Sequence, residues 1–117
     1  MAGYNIHGES VTDGNASAGI AVSLYEAGSV TARTLGAKEV LHVTDVDIYC
    51  ENGGDVFLVA DGKVAGEYLV NANLDAKGGV VKHYANPFIC APGTTPVFYG
   101  ATADRNVCLI QGFITEA

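Results

Sequence analysis

No stretch of the chain carries more than a few consecutive apolar residues, far short of the roughly 20 needed to span a bilayer as a helix. Cations are equally scarce: six Lys and Arg stand against 13 Asp and Glu, for a formal charge of −7. The six, Arg33, Lys38, Lys63, Lys77, Lys82 and Arg105, are scattered singly. Sequence-independent nucleic-acid binding needs clustered cations that release counterions, so DNA and RNA are excluded as main partners. The same field disfavours anionic membranes and suits a partner with a basic face. The start, Met1-Ala2-Gly3-Tyr4-Asn5-Ile6-His7, has neither the basic nor the apolar region of a secretory signal, so synthesis and use in the cytosol are expected. Cys50, Cys90 and Cys108 form an odd set without CxxC spacing, which argues against a disulfide framework or a zinc knuckle. Each sits in an apolar, strand-like context and reads as a small buried hydrophobe.

Reactive constellations are also missing. His7, His42 and His83 are the only imidazoles and no two are close in sequence, whereas a cupin-like metal site needs two histidines at i and i+2. No metal is expected there. His83, beside Lys82 in an alternating segment, reads as an ordinary, partly exposed imidazole. The carboxylates Asp45, Asp47, Glu51, Asp55 and Asp61 share one stretch but lack EF-hand spacing. A solvated face or turn role suits them best; calcium binding and glycosidase-like acid/base work are the alternatives. Ser10, Ser17, Ser23 and Ser29 occur without a Gly-x-Ser-x-Gly elbow, and the glycines form no phosphate cradle. No catalytic residue, cofactor or small-molecule substrate is expected, and the chain does not read as an enzyme.

What is present is a succession of short apolar-alternating segments. At 117 residues the chain can enclose one hydrophobic core, so one domain is expected. Strands are predicted over residues 19–25, 40–50, 56–60, 66–70, 80–84, 97–101 and 107–114, all rich in β-branched and aromatic residues. Regular short strands of this kind indicate an all-β antiparallel sandwich or barrel. Leu41 and Val43 share one parity while Val46, Ile48 and Cys50 share the other, so the apolar face changes sides between Thr44 and Asp45. A β-bulge or strand corner is predicted there. Asp61-Gly62 predicts a two-residue type I′ hairpin, with 66–70 as its return strand and 71–79 as a longer connection. Pro87 limits pairing to an edge or a bend, and the last hairpin is expected to join 97–101 to 107–114. Aromatics such as Tyr49, Phe57, Tyr84, Phe98 and Phe113 fall on strands, where core packing is the default.

The first 40 residues differ, being rich in Gly, Ser, Thr and Ala. Residues 1–17 are read as an extended arm and 18–117 as the folded domain. An arm with so few bulky groups cannot offset its ordering entropy through its own core, so it is either mobile or ordered against another molecule. Tyr4, Ile6 and Val11, spaced among Gly3, Gly8 and Gly14, suit folding on binding.

Val43-Thr44-Asp45-Val46 leads to Gly53-Gly54-Asp55-Val56-Phe57-Leu58 and an Asp-Gly turn. Gly-Gly before Val80, Pro87-Phe88, Ala91-Pro92-Gly93 and a Gly112-Phe113 close follow. In this order of features the chain resembles the small jelly-roll decoration, or cement, proteins of tailed bacteriophage heads. The resemblance covers about two thirds of the chain, contains no catalytic signature and is partly shared with cytokine-like and C1q-like jelly rolls. It implies a jelly-roll sandwich of about eight strands. It also implies a homotrimer on the outer surface of an icosahedral capsid, made in the host cytoplasm, clamping neighbouring subunits of the major capsid protein. The family offers no site residues to carry over, so the capsid-contact candidates come from the composition of the arm: Tyr4, Asn5, Ile6, His7 and Val11. A carbohydrate- or receptor-binding jelly-roll module is the alternative function, and an immunoglobulin-like sandwich the alternative fold.

Overall fold

The computed structural model describes residues 4–12 (backbone only), 19–60, 68–100 and 105–116. Nine strands make up the described chain: β1 (Tyr4–Thr12), β2 (Ile20–Ala21), β3 (Ser23–Glu26), β4 (Glu39–Cys50), β5 (Gly54–Val59), β6 (Tyr68–Leu74), β7 (Gly78–Ile89), β8 (Val97–Gly100) and β9 (Asn106–Glu116). They form two antiparallel sheets, ordered β3-β1-β9-β4-β7 and β2-β8-β5-β6. Alternate apolar positions of β4, β5, β8 and β9, with Leu24 of β3 and Leu69 and Val70 of β6, are buried in one core shared by both sheets. Leu41, Val46, Ile48, Ile110 and Ile114 enter from the first sheet, and Val56, Leu58, Leu69 and Phe98 from the second. The all-β expectation therefore holds among the described residues.

The pairing is nested. β1 lies against β9, β2 against β8, β4 against β7, and β5 against β6. The chain thus runs as one long antiparallel hairpin whose apex is β5-β6, folded so that successive pairs fall in alternate sheets. At the edges, β6 and β7 are tied across the gap between sheets. The Tyr84 hydroxyl and Lys82 Nζ both donate to the Leu69 carbonyl, at 2.6 and 3.3 Å.

The bulge expected between Thr44 and Asp45 is present. β4 is paired on both flanks, and its register shifts against β7 and β9 alike between Val43 and Asp45. Burial switches with it: Leu41 and Val43 are buried before the shift, and Val46, Ile48 and Cys50 after it. Gly112, opposite Val43, makes this possible. A Cβ there would collide with the His42 carbonyl oxygen and crowd Val43 Cα. On the other flank residues 84–87, with Pro87, stand opposite Thr44 alone, which a proline tolerates because β7 is an edge strand.

Several local expectations are corrected. β5 and β6 pair antiparallel from Gly54↔Leu74 to Val59↔Tyr68. Asp61 and Gly62, the expected turn, lie outside the described residues. β6 continues to Leu74, leaving a short connection at 75–77 in place of the long one. The strand expected over 19–25 is split at Val22, whose N–H donates to the Pro96 carbonyl at 2.9 Å while β2 joins one sheet and β3 the other. Among the described residues the expected terminal hairpin is absent: β8 pairs with β2 and β5, and β9 with β1 and β4, in different sheets. Alternation identified these strands correctly, but sequence proximity named the wrong neighbours. Finally, residues 4–12 of the expected arm form β1, paired with β9 from Tyr4↔Ile114 to Thr12↔Asn106 and flanked by β3. A segment poor in bulky side chains can still be held through its backbone donors and acceptors. Residues 1–3 and 13–18 lie outside the description.

Gly112→Ala is expected to lower stability by at least about 2 kcal/mol, the scale of an overpacked core. The neighbouring surface change Gln111→Ala should stay within about 0.5 kcal/mol. Thermal unfolding of the two variants checks this.

Candidate functional site

The bulge also sets what faces outward from the five-stranded sheet. Beyond Thr44, β4 turns Asp45, Asp47 and Tyr49 away from the core. Register places His83 of β7 and Gln111 of β9 on either side of Asp45, and Val81 and Leu109 on either side of Asp47. Asp45, Val46, Asp47, Val81, Leu109 and Gln111 line an open depression of about 230 Å³. Val81 is 74% exposed and Leu109 41%, so two apolar side chains flank the carboxylate in solvent. Past the bulge, the same face carries the stack of His42 on Phe113, with centroids 4.5 Å apart, and Ile89, 63% exposed.

The two aspartates differ in their bonding. Asp45 Oδ1 lies 2.8 Å from His83 Nδ1, and Asp45 Oδ2 accepts from the Thr44 hydroxyl at 2.9 Å. The His83 hydrogen bond, with the Thr44 hydroxyl second, holds the Asp45 carboxyl below the usual carboxylate range. Asp47, two residues further along β4, makes no hydrogen bond or ion pair among the described residues. The remaining described members of the acidic stretch, Glu51 and Asp55, do not line this depression. Glu51 accepts from the Tyr49 hydroxyl, and Asp55 on β5 accepts from Asn73 Nδ2 at 2.8 Å in the other sheet. Asp61 lies outside the described residues.

Among the described residues, no three His, Cys, Asp or Glu side chains gather in a way that could hold a metal ion. His42 is engaged by Phe113 and by Thr115 Oγ1, 2.8 Å from its Nε2, on the other side of the bulge from the His83–Asp45 pair. All three cysteines are buried and unpaired. Burial pushes the Cys90 and Cys108 thiols up to about 12, so neither is a thiolate nucleophile at neutral pH. The Cys50 thiol has the Gly53 carbonyl and Asn106 Oδ1 as acceptors, a buried polar contact that helps close one end of the core.

The contact candidates Tyr4, Asn5, Ile6, His7 and Val11 all fall in β1, where their backbones pair with Ile114, Phe113, Gly112, Gln111 and Val107. Their side chains lie outside the described residues. Sequence reasoning missed Val81, Leu109 and Gln111. The signal was the alternation of Val107, Leu109, Gln111 and Phe113 against Cys108, Ile110, Gly112 and Ile114; because both rows are largely apolar, parity alone did not tell inside from outside.

No protein-family model, curated protein sequence or solved structure matches the chain.

Two outcomes follow. In a titration followed by carboxyl NMR, Asp45 should move up toward the ordinary carboxylate range when His83 is replaced by Ala. Because its folded value is depressed, the stability it contributes is present above the unfolded value, near 3.9, and is lost as pH falls through the folded one. Separately, a disulfide-exchange reagent at pH 8 should find no reactive thiol in the folded protein and all three after denaturation.

Proposed function

We propose that the chain is a non-catalytic jelly-roll protein that decorates the outer surface of an icosahedral phage head as a homotrimer, stabilising contacts between major-capsid subunits. The observation that carries the reading is the nested pairing of β1 with β9, β2 with β8, β4 with β7 and β5 with β6, distributed over two sheets. That is the path of an antiparallel hairpin rolled up, the double-sheet arrangement used by viral capsid and lectin domains. The order of turn and strand features that resembles the cement proteins supports the same reading. So does a sheet face with Val81, Ile89 and Leu109 exposed, since surface function needs apolar groups left uncovered by the fold itself. In this reading Tyr4, Asn5, Ile6, His7 and Val11 make their capsid contacts from a paired strand, not from a free arm. The protein resides on the virion after synthesis in the host cytoplasm.

The test has two parts. Sedimentation equilibrium should return three times the chain mass, and the chain should co-sediment with shells assembled from a major capsid protein encoded beside it. A concentration-independent monomer that stays in the supernatant while the shells sediment would overturn the reading. Micromolar binding on a glycan array without shell retention would replace it with the carbohydrate-binding alternative.

A further inference from the structure

The depression beside the β4 bulge poses a specific question of chemistry. Asp47 projects from the middle of the five-stranded sheet between Val81 on β7 and Leu109 on β9, its register partners on the two sides. Asp45, two residues back, already has both carboxylate oxygens engaged, by His83 and by Thr44. Asp47 has no such partner among the described residues. The nearest lysine along β7, Lys82, is turned the other way. Its Nζ donates to the Leu69 carbonyl and sits 4.9 Å from the centroid of the Tyr84 ring. The face therefore combines a carboxylate without a partner among the described residues, two exposed apolar side chains and the Gln111 amide around one shallow hollow.

We infer that this face docks a segment of a partner protein that presents a single Lys or Arg flanked by apolar side chains. The cation would pair with Asp47, and its neighbours would cover Val81 and Leu109. Charge complementarity selects this occupant. The chain carries −7 overall, and stacking the face on a second copy of itself would oppose one Asp47 to another. A phosphate-bearing or otherwise anionic ligand meets the same repulsion. A purely apolar segment would strip water from Asp47 without replacing its solvation. A cation on an aliphatic stem satisfies both requirements, since its methylenes lie along apolar surface while its charged end reaches the carboxylate. Partial exclusion of water by Val81 and Leu109 would strengthen that pair relative to an open surface ion pair. The inference deepens the reading above by naming a face and a partner chemistry. It rests on the chain being a binding protein, not on the partner being a capsid.

The probe is the peptide acetyl-Val-Arg-Val-amide, titrated into the full-length, isotope-labelled chain and followed by amide chemical shifts. The expected result is a set of perturbations clustered at Asp47, Val81, Leu109 and Gln111. Asp47→Asn and, independently, Leu109→Ser should each weaken the apparent affinity at least threefold, and acetyl-Val-Glu-Val-amide should leave those resonances in place. Perturbations scattered over the surface, equal binding of the glutamate peptide, or an affinity unchanged by Asp47→Asn would overturn the inference. So would the same shifts appearing on concentrating the protein alone, which would assign the face to a second copy. Shell co-sedimentation of Asp47→Asn separates the two levels. Peptide binding by the wild-type chain without shell retention removes the capsid and keeps the face. Shell retention with no peptide response at the face removes the face and keeps the capsid.

Discussion

The fold turns on one irregularity, the extra residue at Thr44. β4 is flanked by β7 and β9 over most of its length, and without the bulge a twelve-residue strand would present one parity to the core throughout. Leu41 and Val43 would then share the inner face with Asp45 and Asp47, while Val46, Ile48 and Cys50 faced water. Inserting Thr44 lets both apolar sets point inward and puts both aspartates out. The cost falls on the partners. β9 must offer a residue without a side chain at Gly112, because the His42 carbonyl bends into the space a Cβ would occupy. β7 must carry four residues past a single position, which only an edge strand with a free flank can do. Stability at the centre of the sheet and the composition of its outer face are thus one constraint seen from two sides.

Other loops are held by specific polar contacts that add to this frame. Arg33 pairs with Glu39 at 2.6 Å, and Glu39 also accepts from the Gly36 N–H at 2.8 Å. Together these pin the long connection between β3 and β4 at the point where β4 begins. The Arg33 hydrogen bond, reinforced by Gly36, holds the Glu39 carboxyl below its usual range. Gly93, with φ of 74°, donates its N–H to the Glu39 carbonyl at 2.8 Å and approaches Ala37, so the loop after β7 is anchored to the same corner. The left-handed backbone at Gly93 is what the Ala91-Pro92-Gly93 turn requires.

The extent of what the amino-acid order disclosed follows from the range of each physical signal. Parity along a strand is local, so the strands and the side change at Thr44 were legible. Pairing partners depend on loop closure across the whole chain, and here locality misled. β8 and β9 are neighbours in sequence and members of different sheets. β1 was unreadable for the opposite reason: its apolar residues are sparse, and its backbone pairing with β9 leaves no mark on composition. The outer face escaped notice because its residues come from three strands. Asp45 and Asp47 were visible as a hydrated pair, but Val81 and Leu109 acquire meaning only once register sets them beside Asp47.

That register bears on how a small acidic protein could hold a large assembly. Fully burying an aliphatic side chain contributes about 1.5–3 kcal/mol, and Val81 and Leu109 are already partly covered. An ion pair at an open surface adds about 1 kcal/mol or less. Association must also offset the loss of translational and rotational freedom, roughly 4 kcal/mol or more. One such face is therefore a weak binder in isolation. Linking several copies makes each later contact intramolecular, and avidity can exceed a single affinity by roughly 10² to 10⁴ without any new contact. A trimer meeting a symmetric lattice would have that geometry. The modest chemistry of the face and the proposed oligomer thus fit together: one face alone binds weakly but measurably, and several engaged at once would gain by avidity.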